Sequence, residues 1–264
     1  GMLSAVLFSA EDIALVHGSP AGRRRFLDVL LSQMSRDYLR TLQGYQKVLA
    51  QRNHLLRRIA DGHAHPDELP FWDEELCVRG GQVVQERDWA VKALAPLAAD
   101  IHASVASPKP ALSVVYGTRV PPGGSTEETV QRLRERLEQR RRQELHLRQT
   151  VVGPHRDDLR LLLDGREADT YGSRGQSRTV ALALRLAEAR LLASRRGEEP
   201  LLLLDDALAE LDETRRERVL EMAGASEQAL LTTIGSAEHP SLSSRARAWL
   251  WVRDGTVSPS PRDE

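Results

Sequence analysis

Ser173-Arg174-Gly175-Gln176-Ser177, set ahead of Val180, Leu182, Leu184, Leu186, Ala187, Leu191 and Leu192, is the stretch that decides the fold. The apolar residues have the spacing of a buried helix. A serine hydroxyl and a run of free backbone N–H groups therefore fall at its N-terminus, where unpaired donors and a partial positive charge make an anion site. Leu201-Leu202-Leu203-Leu204 follows, between Pro200 and the pair Asp205-Asp206. Four leucines in a row suit a strand buried on both faces of a mainly parallel sheet. Its C-terminal end then carries two carboxylates, at the place where open α/β sheets bind ligands. Leu208-Ala209-Glu210-Leu211-Asp212 comes next. Each piece alone is weak, and their order and spacing carry the specificity.

These pieces resemble parts of ATP-binding-cassette (ABC) ATPases: Ser173-Arg174-Gly175-Gln176 the signature motif, residues 201–206 the Walker B strand, and Ala209-Glu210-Leu211-Asp212 the D-loop. Within that superfamily the chain is most similar to RecF, the bacterial recombination and gap-repair family. The likeness is carried by Gly153-Pro154-His155-Arg156-Asp157-Asp158, Gln176-Ser177-Arg178-Thr179-Val180-Ala181-Leu182, Phe8-Ser9-Ala10-Glu11-Asp12, Gly18-Ser19-Pro20 and Arg24-Arg25-Phe26-Leu27-Asp28. It runs through nearly the whole chain. The fold it implies is an α/β ABC-type ATPase head, present as the lobe with the signature and Walker B strand, interrupted by an inserted all-α helical arm. Residues 1–17 would supply a strand of the head, 18–148 the arm, 149–257 the C-terminal part of the head, and 258–264 a polar tail.

The resemblance also implies a mechanism. Two copies would pack head to tail with ATP between one copy's P-loop and the other's signature. Ser173 would donate its hydroxyl to the γ-phosphate in trans, Gly175 would admit a close backbone approach, and Gln176 would support that turn. Asp205 would hold Mg²⁺ through water, Asp206 would orient or deprotonate the attacking water, and Asp212 would belong to the D-loop. Many cassette ATPases have glutamate where Asp206 stands. A base set back by about one ångström costs on the order of a hundredfold in rate, which suits a slow timer. The switch residue of such enzymes is often histidine, but here the last core strand runs into Thr232-Thr233 and His239 lies too far beyond. Thr233 is the candidate, able to hydrogen-bond a phosphate but not to act as a charged donor. The implied role is an ATP-gated clamp on double-stranded DNA at single-strand gaps, an ATP-dependent homodimer that works with RecR and RecO to place RecA.

Composition sets outer limits. A chain of 264 residues, 41% hydrophobic and 28% charged, suits a globular protein with room for two domains. No apolar run of about 18 residues offers a membrane span. Cys77 stands alone, so no internal disulfide forms and a reducing cytoplasm fits. A net charge of -1 excludes a uniformly basic nucleic-acid binder and leaves only a local patch. The three lysines, Lys47, Lys92 and Lys109, follow Gln46, Val91 and Pro108. None makes the Gly-Lys-Ser/Thr of a P-loop. By the resemblance that loop lies ahead of Gly1, so the chain is expected to be a C-terminal piece of a longer protein that binds ATP poorly or not at all alone.

Ser19-Pro20 reads as a helix start, and Leu27, Leu31, Met34, Tyr38, Leu42, Tyr45, Leu49 and Leu56 continue as one long amphipathic helix. Arg23, Arg24 and Arg25 crowd its first turn, either as a solvated face or as a contact for DNA phosphate or a partner. His63 and His65 fall in a polar turn without metal-ligand companions. A second long helix covers Trp72 to Ile101 and tolerates Gly80-Gly81, with residues 112–116 a strand after it. Ser125 and Glu128 form a capping box for a third, arginine- and glutamate-rich helix. Residues 159–163 and 167–171 form a hairpin around Asp164-Gly165. His155 to Asp158 form a dense polar group, read either as a hydrogen-bonding corner or as catalytic. A helix follows at 215–223, a buried strand at 229–233 and a hairpin around Asp254-Gly255. Two rival readings stand beside the clamp: an ATPase head of the structural-maintenance or break-repair class, and a non-enzymatic interaction fragment.

Overall fold

The computed structural model describes residues 4–106, 110–208, 211–233 and 245–259. In chain order the elements are β1 (Ala5–Phe8), a 3-10 turn (Ala10–Ile13), α1 (Ala14–His17), α2 (Pro20–Met34), α3 (Arg36–Ala60) and a second 3-10 turn (Pro66–Glu68). Then come α4 (Leu69–Val105), β2 (Leu112–Gly117), α5 (Thr126–Leu147), a third 3-10 turn (Pro154–Arg156), β3 (Asp158–Leu163) and β4 (Arg166–Glu167). The chain continues through α6 (Ala168–Tyr171), α7 (Arg174–Arg196), β5 (Leu201–Asp205), α8 (Glu213–Ala225), β6 (Ala229–Thr232), β7 (Trp251–Arg253) and β8 (Thr256–Ser258).

Three parallel strands in the order β1-β5-β6 form the sheet that carries the acidic pair. Val6, Phe8, Leu202 and Leu204 point to one face and are buried there. In register on the other face stand Leu7, Leu203 and Leu230, with Leu7 49% and Leu230 47% exposed. The four leucines are therefore buried on one face, not both, and β6 is exposed along most of its length rather than buried. A second sheet, β2-β3-β4, is antiparallel, and β7 and β8 make a separate hairpin.

α7 lies against the buried face, and residues 179–184 are all buried without a break. Such a helix has neighbours around its whole girth, here β1 on one side and α4 on another. The largest core joins α7 and the β1-β5 sheet to Phe26, Leu27 and Leu30 of α2, Leu94 and Ile101 of α4, and Leu159 and Leu161 of β3. A second core holds Tyr38, Leu42, Tyr45, Leu76, Val83, Leu133 and Leu137 from α3, α4 and α5. Within the stretch expected as an arm, 18–148, most of the buried residues of α2, those of the C-terminal half of α4 and those of β2 pack in the first core, while α3, the first half of α4 and α5 build the second.

The expected single helix through Leu27 and Leu56 is two. Ser35 takes an extended backbone and its Oγ accepts the Tyr38 N–H at 3.1 Å, starting α3 afresh. Gly81 permits α4 and α5 to touch, since a Cβ there would lie 2.5 Å from Val130 Cγ2. Ser125 caps α5 by accepting the Glu128 N–H, but the Glu128 carboxylate reaches Gly124 N instead of closing a box. Beyond β4, residues 168–171 are a helical turn rather than strand, closed by Gly172 N–H on Ala168 O at 3.0 Å with Ala168 buried. His65 Nδ1 accepts the Asp67 N–H of its own turn, and no group of three metal-ligand side chains occurs among the described residues. No helix of the described residues is long and apolar enough to cross a membrane. His239 and the tail beyond residue 259 lie outside the described residues.

Candidate functional site

Ser173 begins α7 with an extended backbone, its Oγ accepting Gln176 N–H at 3.2 Å while Gln176 Oε1 accepts Ser173 N–H at 2.8 Å. This reciprocal box holds the turn rigid. Ser173, Arg174 and Gly175 are exposed, whereas Ser177 immediately behind them is buried. The helix tip thus stands at the surface. A Cβ built on Gly175 would meet only Arg215 Nη1, at 3.9 Å. The chain's own packing does not require glycine at that position.

The acidic pair is fixed from the neighbouring strand. Thr232 pairs with Asp205 across β5 and β6, and its hydroxyl donates to Asp205 Oδ1 at 2.6 Å while accepting Asp206 N–H at 3.0 Å. Asp206 has φ 50°, a left-handed conformation that aspartate tolerates better than most residues. Its carbonyl accepts from Arg178 Nη2 at 2.7 Å. Arg178 lies in the second turn of α7, so the helix tip and the strand end are tied into one surface. Asp212 caps α8, accepting Arg215 N–H at 2.9 Å, with its carboxylate 3.3 Å from Arg215 Nε. Arg215 therefore stands between the start of α8 and the tip of α7. Ala209 and Glu210 lie outside the described residues, and Thr233 follows the end of β6. Thr232, Arg178 and Arg215 were not singled out by the sequence. The one available signal was the position of Thr232 at the end of a strand parallel to the one bearing the aspartates.

The Gly153–Asp158 segment is a hydrogen-bonding corner that joins arm to head. Gly153 has φ 126°, and a Cβ on it would lie 2.6 Å from Tyr45 Oη. His155 Nδ1 contacts Tyr45 Oη at 2.6 Å and its Nε2 contacts Thr150 O at 3.1 Å. Burial, with Arg156, Arg24 and Arg52 nearby, lowers the His155 pKa to about 4. Asp157 accepts from Tyr116 Oη at 2.6 Å and from Arg119 N–H at 3.3 Å, and burial raises its pKa despite these donors. Arg87 donates to Pro154 O and pairs with Asp28.

The arginines at the start of α2 divide in the same way. Arg23 is buried and makes a two-pronged pair with Asp158, at 2.8 and 2.7 Å. The bond to Asp158 raises its pKa against burial. It is a structural clamp between α2 and β3, not a solvated or phosphate-facing cation. Arg24 donates to Asp157 O at 2.6 Å, and only Arg25 of the three is exposed. Arg24 and Arg25 line a cleft of about 1130 Å³ together with Arg36 and Asp28.

No protein-family model matches the chain. It is 45% identical over 235 residues to the DNA replication and repair protein RecF of Herpetosiphon aurantiacus, covering 88% of this chain and 60% of that protein. It is 41% identical over 270 residues to RecF of Roseiflexus castenholzii, covering 98% and 68%. A solved structure of the recombination mediator protein RecF with ATP, in the RecFOR pathway, superposes with a TM-score of 0.87 at 29% identity, covering 99% of this chain and 68% of that one. The chain spans about three fifths of the length of the first of these relatives. By sequence over most of its length, and by the fold of an ABC-type ATPase head, the chain belongs to the RecF family of DNA replication and repair proteins.

Proposed function

We propose that this chain is the signature-bearing part of an ATP-gated DNA clamp. In this reading two copies join when the exposed tip of α7 in one caps ATP held on the P-loop of the other. The observation that carries it is Gly175, exposed at a capped helix start where an added Cβ would meet only Arg215 Nη1, at 3.9 Å. Ser173 Oγ and the backbone N–H of Gly175 would hold the γ-phosphate. Asp205 offers a hard oxygen ligand oriented by Thr232, and one carboxylate suits a Mg²⁺ ion that keeps most of its water and is otherwise held by phosphates. The ion would supply charge neutralisation at those phosphates. Asp206, with its backbone held at both N–H and carbonyl, would orient or deprotonate the attacking water. The acidic pair lies on open surface, so the walls of the pocket would come from the P-loop region and the second copy.

The joined form would hold double-stranded DNA beside a single-strand gap, slow hydrolysis would release it, and RecR and RecO would cooperate in placing RecA. The RecF structure solved with ATP supports the nucleotide. Sedimentation of a version extended at its N-terminus to include the P-loop tests the reading. With ATP the extended protein dimerises, and Ser173→Arg abolishes the dimer while leaving ATP bound to monomer. Dimers that survive the substitution would sink the trans role of Ser173.

A further inference from the structure

Arginines along α5 differ in what they bond. Arg134 is ion-paired with Glu74 at 2.6 Å, and Arg141 with Asp73 and Glu138 at 2.9 and 2.8 Å. Arg136 and Arg140, one turn apart, have no carboxylate partner among the described residues. Arg136 donates to Gln139 Oε1 at 3.0 Å and Arg140 to Gln143 Oε1 at 3.1 Å. Together they line a cleft of about 390 Å³ with Arg119, from the loop after β2, and Arg156, from the turn before β3. Arg156 also donates only to neutral oxygens, Gln149 Oε1 and Thr150 O. Four arginines from three separate stretches of chain thus line one concavity. Its lining contains no Asp or Glu and no aromatic ring.

By contrast Arg52, Arg79, Arg87 and Arg148 of this region each have a carboxylate partner. A solvated face would spread like charges over a convex surface, where water screens them. Here folding gathers them, against their mutual repulsion, in a chain of net charge -1. The gathering has a structural cause. Asp157 Oδ1 accepts the Arg119 N–H, and Arg156 N–H bonds Gly153 O at 2.9 Å, so the buried corner that joins arm to head also presents these two arginines. Arg132, four residues before Arg136, donates only to the carbonyls of Pro121 and Pro122. Positions 132, 136 and 140 therefore repeat at about 6 Å along the helix axis. A line of charge of this kind suits a polymer better than a single small anion.

We propose that this cleft binds backbone phosphates of duplex DNA. The choice of DNA rests on the clamp reading above; the anionic ligand rests on the cleft itself. Guanidinium groups match phosphate oxygens in two-pronged geometry. The absence of aromatic rings in the lining favours a duplex backbone over a single strand, whose bases would need stacking partners. Contacts of this type position a duplex without reading its sequence.

The test is binding of a labelled blunt DNA duplex to the 264-residue chain, followed by anisotropy over a range of salt concentrations without nucleotide. Arg136→Gln with Arg140→Gln lowers the slope of log affinity against log salt by about 2, one for each guanidinium withdrawn from a phosphate, and weakens binding tenfold or more at low salt. Arg119→Gln with Arg156→Gln, from the other wall, produces the same shift. Arg134→Gln, on the paired side of the same helix, leaves the slope unchanged. Both double variants keep the wild-type unfolding midpoint, because none of the removed side chains is ion-paired with a carboxylate among the described residues. A wild-type chain that binds duplex with a slope insensitive to both double variants overturns the cleft while leaving the clamp reading intact. No duplex binding at low salt, or single strands bound more tightly with the same sensitivity, also overturns it. Failure of the clamp reading shows instead in the ATP-driven dimer, which this assay does not read.

Discussion

Thr232 Oγ1 lies 2.6 Å from Asp205 Oδ1 and donates to it, while the same oxygen receives the Asp206 N–H at 3.0 Å. One hydroxyl thereby orients the first carboxylate and fixes the backbone of the second. In the N-terminally extended protein, Thr232→Val lowers kcat for ATP hydrolysis by about tenfold to a hundredfold, the loss expected for one hydrogen bond to a charged group. Thr232→Ser, which keeps the hydroxyl, retains most of the rate. Steady-state kinetics at saturating ATP separate the two, and equal rates for valine and serine would dismiss the relay.

The α3–α4–α5 core is pinned by a buried charge network. Arg52, 1% exposed, bonds Glu144 at 2.6 Å, Asp73 at 2.7 Å and Thr150 Oγ1 at 2.7 Å, and Glu144 is fully buried. Glu144→Ala leaves the guanidinium short of its main partner and costs about 3–5 kcal/mol in urea unfolding. Replacing both residues, Arg52→Leu with Glu144→Leu, recovers much of that loss, because neither charge is then desolvated. A double variant as unstable as the single one would show that packing, not charge burial, sets the cost.

His155 links stability to pH. Its pKa is held at about 4 in the folded protein against an ordinary 6.5. As pH falls below the ordinary value the unfolded chain takes up a proton that the folded one refuses, so stability declines from about pH 6.5 to about pH 4. The contribution is on the order of 3 kcal/mol over that window. Asp157 works in the opposite sense, since its raised pKa makes the folded state protonate first. The measurement is the difference between wild type and His155→Gln in unfolding free energy at the two ends of the window. The variant loses less on acidification, and parallel curves would refute the assignment.

Gly81 sits where α4 touches α5. Alanine for glycine in a helix ordinarily stabilises by about 1 kcal/mol, but here the new methyl would stand 2.5 Å from Val130 Cγ2 and 3.2 Å from Val130 N. The backbone nitrogen cannot turn aside as a side chain does. Gly81→Ala therefore destabilises by about 1–3 kcal/mol, and Val130→Ala in the same chain relieves part of it. Thermal unfolding of the single and double variants checks both signs.

Local patterns in the chain were enough for much of this. Ser173 and Gln176 announced a capped helix, four leucines ending in two aspartates announced a strand with an acidic end, and the extent of α4 followed from its apolar spacing despite Gly80 and Gly81. These features depend on residues within a few positions of one another, so they are readable in one dimension. The break at Ser35 was hidden because the apolar period continues through it, and the break shows only in the backbone and the Tyr38 N–H it captures. Burial of the leucine strand on one face rather than two depends on what lies across the sheet, which no run of leucines can state.

Charge partners were the least legible part. Arg23 and Arg136 look alike in sequence, each within an arginine-rich helical turn. Folding brings Asp158, 135 residues away, against Arg23, while Arg136 lines a cleft with Arg119 and Arg156 and has no carboxylate ion pair among the described residues. The amino-acid order determined the helices, the strand ends and the capped tip, because hydrogen bonding and hydrophobic period act locally. Which arginines are neutralised and which converge unpaired was decided only by tertiary structure, because Coulomb pairing acts through space between segments distant in the chain.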